Sequence, residues 1–324
     1  MKLDDIRRLS RELGSFTEPR DAQRLQEQLR ALGIDPGSFY QELEMSSRYV
    51  DTHRDVSYSN ASVSLHSHSF YEILYCRNTC GAEYLVESVR YQLQKGDIIL
   101  VPPGVSHRPL LPEHMTEPYK RDVLWVSTEY LASLRQIFPP EPKRKSYPRL
   151  LRTAGTRWEY LGELFHTGVE EFEGQEPGWE AAVLGNTIHL MAHLRRAILD
   201  QSAHPPKAEK PDLVDRVLAY VETHLAERIT LADAARQFYV SESTISQTFR
   251  KKMGVSFYRC VTQRRLIAAK TLIGEGMQLE DVAGKVGFSD YSSFYRAFRQ
   301  EYGISPRQYR NLQPQSAVEN PGFL

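Results

Sequence analysis

Residues 279–310 read LEDVAGKVGFSDYSSFYRAFRQEYGISPRQYR, and residues 230–253 read TLADAARQFYVSESTISQTFRKKM. The two stretches have one design. In the earlier one, Thr230-x-x-Asp233 has the form of a capping box, Ala234-Ala235 follow, and Tyr239-Val240-Ser241 interrupts the pattern. A second helix then carries Ile245, Phe249 and Met253 on one side. The same order returns 48 residues later as Val282-Ala283 and Gly287-Phe288-Ser289, and at an offset of 49 as Phe294, Phe298 and Tyr302. Helix, tight turn, helix is thus written twice. Between the copies Leu266, Ala269, Leu272 and Ile273 predict a connecting helix stopped by Gly274 and Gly276, which would join the units rigidly.

A helix-turn-helix can be purely structural, so the faces turned away from the core carry the argument. With Ile245 and Phe249 inward, Ser243, Ser246, Gln247 and Arg250 fall on the opposite side, followed by Lys251 and Lys252. The second unit presents Ser292, Tyr295, Arg296 and Arg299 in the same way. A merely solvated face mixes signs, whereas these sets contain no acid. Hydroxyls and amides flanked by cations suit base edges in a phosphate-lined groove. Charge agrees: the chain balances 41 basic against 41 acidic residues, but residues 212–310 hold 15 against 11, leaving 26 against 30 elsewhere.

The second unit resembles the signature of the AraC/XylS family of bacterial transcription regulators: Val282-Ala283-x-x-Val286-Gly287-Phe288-x-x-x-Ser292-x-Phe294-x-Arg296-x-Phe298, then Gly303-x-Ser305-Pro306-x-x-Tyr309-Arg310. The connecting helix fits as Arg265-Leu266-x-x-Ala269-x-x-Leu272-Ile273. The first unit is the looser match, with Phe238 where the second has Gly287. The resemblance implies two recognition helices, residues 242–252 and 291–301, entering successive major-groove faces of double-stranded DNA. Ser243, Thr244, Ser246, Gln247, Arg250, Lys251, Ser292, Ser293, Tyr295, Arg296 and Arg299 would be the contacts. It also implies an activator that dimerises through a sensor domain, answers a small-molecule effector and contacts RNA polymerase.

Upstream, Ser46 to Thr128 alternates and is rich in Val, Ile and Tyr, with turn residues at Gly81, Gly96 and Pro102-Pro103-Gly104, which predicts several short antiparallel strands. His66, His68 and Glu72 share one parity, so on an extended strand they would emerge from one face. With Gly96-x5-Pro102-x-Gly104-x2-His107 they resemble the two motifs of cupin barrels, although no glycine follows Glu72 closely and no Asn follows His107. That resemblance implies a cupin-like β-barrel sensor in which His66, His68, Glu72 and His107 line an effector pocket or hold a divalent metal. Three imidazoles and a carboxylate suit zinc, iron, manganese or nickel. Without metal the same residues would satisfy one another in a polar pocket. Tyr75, Tyr84 and Trp125 are pocket residues if they point inward, with core packing the alternative. Arg77 and Arg90 read as solvated surface.

Helical spacing also marks two short helices before Leu32, and two amphipathic ones over residues 158–172 and 179–199. The stripe Leu184, Ile188, Met191 and Ile198, broken by Arg195, suits either a dimer seam or the face that covers the barrel. His189 and His193 lack a third ligand nearby and read as surface or interface residues. The expected organisation is an α+β multidomain chain. It has a helical extension (1–45), a sensor barrel (46–135), a helical segment (136–200), a linker (201–211, QSAHPPKAEKP), an all-α tandem helix-turn-helix domain (212–310) and a tail (311–324). The three cysteines, Cys76, Cys80 and Cys260, form no Cys-x-x-Cys pair, and neither a signal peptide nor a spanning segment is expected, which points to the cytoplasm. A DNA-binding regulator, not an enzyme, is the leading expectation. The rival is a metal-dependent cupin enzyme with a DNA-targeting domain.

Overall fold

The computed structural model describes residues 45–58, 65–112, 114–115, 117–138, 149–203 and 211–312. The expected helices before Leu32, nearly all of the extension and most of the 311–324 tail lie outside them. Among the described residues, seven of eight strands fall inside the stretch that alternates: β1 (Val50–Ser57), β2 (Tyr71–Cys76), β3 (Glu83–Val86), β4 (Val89–Gln92), β5 (Asp97–Val101), β6 (His107–Leu110) and β7 (Tyr119–Val126). The eighth, β8 (Leu150–Arg152), had no sequence signal because three residues cannot display a period.

The strands form two antiparallel sheets, one ordered β1-β7-β2-β5-β8 and the other β4-β3-β6. They face one another across a core that includes Phe70, Leu74, Tyr84, Val101, Tyr119 and Trp125. Each sheet keeps two edges, so the expected closed cupin-like barrel is not what forms. The strands of β3-β4-β6 are only four residues long, and the link between β6 and the segment before β2 is a single bridge, His66 to His107. One bridge cannot continue a ladder around a barrel. The sheet domain is an open two-sheet arrangement.

Alternation in β2 sends Phe70, Leu74 and Cys76 toward the smaller sheet and Tyr71, Ile73 and Tyr75 toward a helical layer. That layer consists of α1 (Thr128–Ser133), α2 (Leu161–Gly174) and α3 (Trp179–Ala203). Met191 and Ile198 of the α3 stripe are buried against the large sheet, with Leu184 and Ile188 half-buried beside them. Of the two roles open to the stripe, covering the sheet is the one its residues perform here. Helix α3 also runs three residues into the expected linker.

The carboxy-terminal part is all helix: α4 (Leu213–Thr223), α5 (Leu231–Phe238), α6 (Glu242–Met253), α7 (Phe257–Gly274), α8 (Leu279–Lys285), α9 (Tyr291–Tyr302) and α10 (Pro306–Leu312). Local chemistry sets the boundaries. Asp212, Thr230, Ser241, Ser256 and Asp290 cap their helices by accepting from first-turn amides, and Gly254 and Gly303 end α6 and α9 in the left-handed conformation. Helix α7 lies in both cores, with Phe257, Cys260, Val261 and Ile267 beside the first unit and Leu266, Ala269 and Ile273 beside the second. It is the expected connecting helix. Among the described residues no helix is long and apolar enough to cross a membrane.

Candidate nucleic-acid interface and buried histidine cluster

In the reader, Ile245, Phe249 and Met253 of α6 and Phe294 and Phe298 of α9 are buried. This fixes the outward faces. Ser243, Thr244, Gln247, Arg250 and Lys251 are exposed and Ser246 is half-buried; Ser292, Arg296 and Arg299 are exposed, with Ser293 and Tyr295 half-buried. Two residues add detail. Lys252 forms an ion pair with Asp212, the α4 cap, so it is not a free cation like Lys251. Glu301, on the inner side of α9, receives Gln263 Nε2 at 3.2 Å and Arg259 at 2.6 Å, anchoring the recognition helix to α7.

The turns correct one alignment. The first-unit residue in the left-handed region is Tyr239 (φ 56°), not Phe238, which is the last residue of α5. Its counterpart is Gly287 (φ 88°). The first unit therefore keeps the same turn geometry and bears the strain of a non-glycine residue there. Tyr239 is 95% exposed.

In the sheet domain His66, His68, Glu72 and His107 are all buried, and one ligand atom of each lies within 4.8 Å of the others. The route differs from the expected one. β2 begins only at Tyr71, so His66 and His68 arrive on the segment before it. The backbones of His66 and His107 exchange hydrogen bonds of 3.2 and 2.9 Å, and Gly104 N donates to His68 O at 2.8 Å.

Three of the four side chains are oriented from behind. His68 Nδ1 donates to Phe70 O at 2.9 Å, His107 Nδ1 donates to Val105 O at 2.8 Å, and Glu72 Oε1 accepts from Trp125 Nε1 at 2.8 Å. These two imidazoles therefore turn Nε2 toward the cluster, where His68 Nε2, His107 Nε2 and Glu72 Oε2 are buried with no hydrogen-bond partner. His107 Nε2 and Glu72 Oε2 lie 2.9 Å apart but out of line for a hydrogen bond. Burial lowers the His68 pKa; burial would raise that of Glu72, but the two histidines outweigh it and hold the carboxyl well below its usual range. A His/His/Glu/His set able to coordinate a divalent metal is thus present, with ligand orientation of the kind that metal-binding histidines show.

Of the three pocket candidates, Trp125 holds Glu72, and the Tyr84 ring lies nearly parallel to that of His107 with centroids 6.2 Å apart. Tyr75 lies on the other face, stacked on Phe165. His189 and His193 are neighbours on α3, and His193 meets the Tyr160 hydroxyl at 2.5 Å. Arg77 pairs with Asp122 at 3.4 Å. Arg90 is no solvated surface residue: only 9% of its side chain is exposed, and it pairs with Glu83, Asp212 and Asp215. It bridges the small sheet to α4.

Arg264 was missed, though the sequence carried a signal. It occupies a buried position of α7 between Cys260 and Ile267, a cation in an apolar stripe. Its guanidinium reaches Glu87 O at 2.5 Å and Ser106 Oγ at 3.4 Å and pairs with Glu222.

Comparison with known proteins matches residues 52–109 to the AraC-like ligand-binding domain and residues 234–312 to a helix-turn-helix domain family. At family level the similarity is to AraC-type DNA-binding transcriptional regulators. Among particular proteins, the transcriptional activator RhaS of Salmonella arizonae is 28% identical over 253 residues, covering 76% of this chain and 86% of the relative. Structural similarity extends to a DNA-binding transcriptional dual regulator of Escherichia coli K-12 (28% identity, 33% of this chain, 96% of that one, TM-score 0.30). It extends also to ToxT of Vibrio cholerae (13% identity, 84% and 99%, TM-score 0.36). A second Salmonella relative, from the dublin serovar, bears the same activator name at 27% identity over 253 residues.

Proposed function

We propose that this chain reads a specific double-stranded DNA site with α6 and α9 and is controlled through its sheet domain. One observation carries the reading: two recognition helices, held by a shared core helix, present exposed polar and cationic faces whose only acid is Glu242, at the first turn of α6. Gln247 and Arg296 have the donor and acceptor groups that adenine and guanine edges require, and Arg250, Lys251 and Arg299 suit the flanking phosphates. Activation of transcription, homodimer assembly, contact with RNA polymerase, a small effector and a cytoplasmic location belong to the same reading. The names of the Salmonella relatives support activation.

The test is selection of bound duplexes from a random pool by the full chain, followed by a reporter carrying the enriched site. A recurrent motif, lost in Arg296→Ala, is expected. Recovery of no preferred sequence would overturn the proposal.

A further inference from the structure

Glu301 is an acid where the helical pattern calls for an apolar residue. It continues the inward stripe of α9 at i+7 from Phe294 and i+3 from Phe298, and its side chain is only 2% exposed. Glutamate is almost never buried unless it is paired. Here the two carboxylate oxygens have separate partners: Oε2 pairs with Arg259 Nη1 at 2.6 Å, and Oε1 accepts from Gln263 Nε2 at 3.2 Å. Arg259 and Gln263 stand at i and i+4 on α7, and Gln263 is itself buried.

The first unit repeats the device with the sign reversed. The offset of 49 that maps Phe298 onto Phe249 maps Glu301 onto Lys252, and Lys252 pairs with Asp212, the cap of α4. Helices α4 and α7 each precede the helix-turn-helix of their own unit. Each recognition helix is therefore tied, at the same position, to the leading helix of its unit.

What such a tie adds to the apolar core is an angle. Burial of Phe294 and Phe298 is served by a range of rotations of α9 about its axis, since the hydrophobic effect has no direction. A carboxylate paired on both oxygens from one helix admits a much narrower range. A rotation of roughly 20° moves a side-chain end at a radius of about 6 Å by about 2 Å, enough to break a hydrogen bond to a base edge. Arg296 lies five residues before Glu301, on the exposed side of the same helix.

We propose that Glu301 is a positioning residue for DNA reading: held by Arg259 and Gln263, it sets the rotation of α9 and so the aim of Arg296. This rests on the reading of α9 as a recognition helix.

The experiment uses the full chain with Glu301→Gln, which keeps an oxygen for Gln263 and loses the ion pair, and with Arg259→Gln and Arg259→Lys. Without DNA, residual dipolar couplings of the α9 amides, whose periodic phase reports rotation of a helix about its own axis, are compared with those of α7. With DNA, the duplex enriched from a random pool by the wild type is compared with duplexes substituted at each base pair and with a mixed-sequence duplex. Glu301→Gln and Arg259→Gln should each shift the α9 phase by on the order of 20°. Each should also lower discrimination on the order of tenfold at the base pair where Arg296→Ala relaxes preference, with affinity for the mixed-sequence duplex unchanged. Arg259→Lys, which keeps the charge, should stay close to the wild type, and the double Gln variant should lose no more than either single one. Arg259 is 43% exposed, so Arg259→Gln decides the matter if Glu301→Gln does not fold. An unchanged phase, or unchanged discrimination in a folded variant, overturns the proposal. Equal weakening on all sequences by Arg259→Gln would make Arg259 a phosphate contact and overturn it as well. If the wild type enriches no duplex, the reading of α9 fails separately, and the dipolar phase alone decides whether Glu301 sets the rotation.

Discussion

Replacing Gly287 by alanine tests how the second reading unit is built. Gly287 has φ 88°, and a β-carbon there would meet Leu225 O at 2.1 Å and Arg265 Nη2 at 2.9 Å. The first contact is with backbone, and that carbonyl already accepts Arg265 Nε at 3.1 Å, so neither group moves cheaply. Gly303 is the control: its φ is 73°, and nothing lies within 4 Å of its β-carbon position. Both substitutions bear the left-handed cost of about 1–2 kcal/mol, and both gain the same small stabilisation from a less flexible unfolded chain. Only Gly287→Ala adds overpacking, about 1–3 kcal/mol. The difference between the two variants should therefore be about 1–3 kcal/mol. Urea titration followed by far-ultraviolet circular dichroism measures it in the helical domain. Tryptophan fluorescence, which comes from Trp125, Trp158 and Trp179 in the sheet domain and its helical layer, serves as the internal reference. Equal destabilisation by the two substitutions would refute the close approach of this turn to Leu225.

Phe298→Ala removes a fully buried ring of the second core and should cost about 3–5 kcal/mol. DNA binding would then fail through unfolding; a folded variant with merely altered base preference would contradict the inward assignment. Arg296→Ala should cost about 1–3 kcal/mol at one base pair and relax preference there, whereas Arg299→Ala should weaken binding on all sequences and flatten its salt dependence; mobility shifts on a substituted-site series separate the two. Burial alone would raise the Asp212 pKa, but Lys252, the Asp215 amide and Arg90 outweigh it and hold the carboxyl well below its ordinary 3.8. A depressed folded value contributes stability that is complete above the unfolded value and lost as pH falls through the folded one. The stability gap between wild type and Asp212→Asn, which retains a capping oxygen, should therefore stay constant above about pH 4 and close under stronger acid. A gap that widens on acidification would show that Asp212 does not act as the anionic hub.

The sequence by itself determined the reader. Helical period, caps and turn residues are local, so the duplicated pattern specified α5–α6 and α8–α9, their inward residues and the connecting helix, and the outward faces followed by subtraction. The choice of four cluster residues was also legible, because His-x-His-x3-Glu and a later His are unusual residue types amid an apolar alternation. Only the tertiary structure decided the rest. Whether short strands close into a barrel depends on pairing between distant segments, and here a single His66–His107 bridge stands where a ladder would be needed. Strand parity placed Glu72 inward, yet His66 and His68 reach it by a segment outside β2. Arg90 read as solvated surface and Arg264 was passed over, and their roles came from Asp212, Asp215, Glu222 and Ser106, residues far away in sequence. Local periodicity carries which way a side chain points within its own element. It carries nothing about what stands opposite, because that is set by long-range packing.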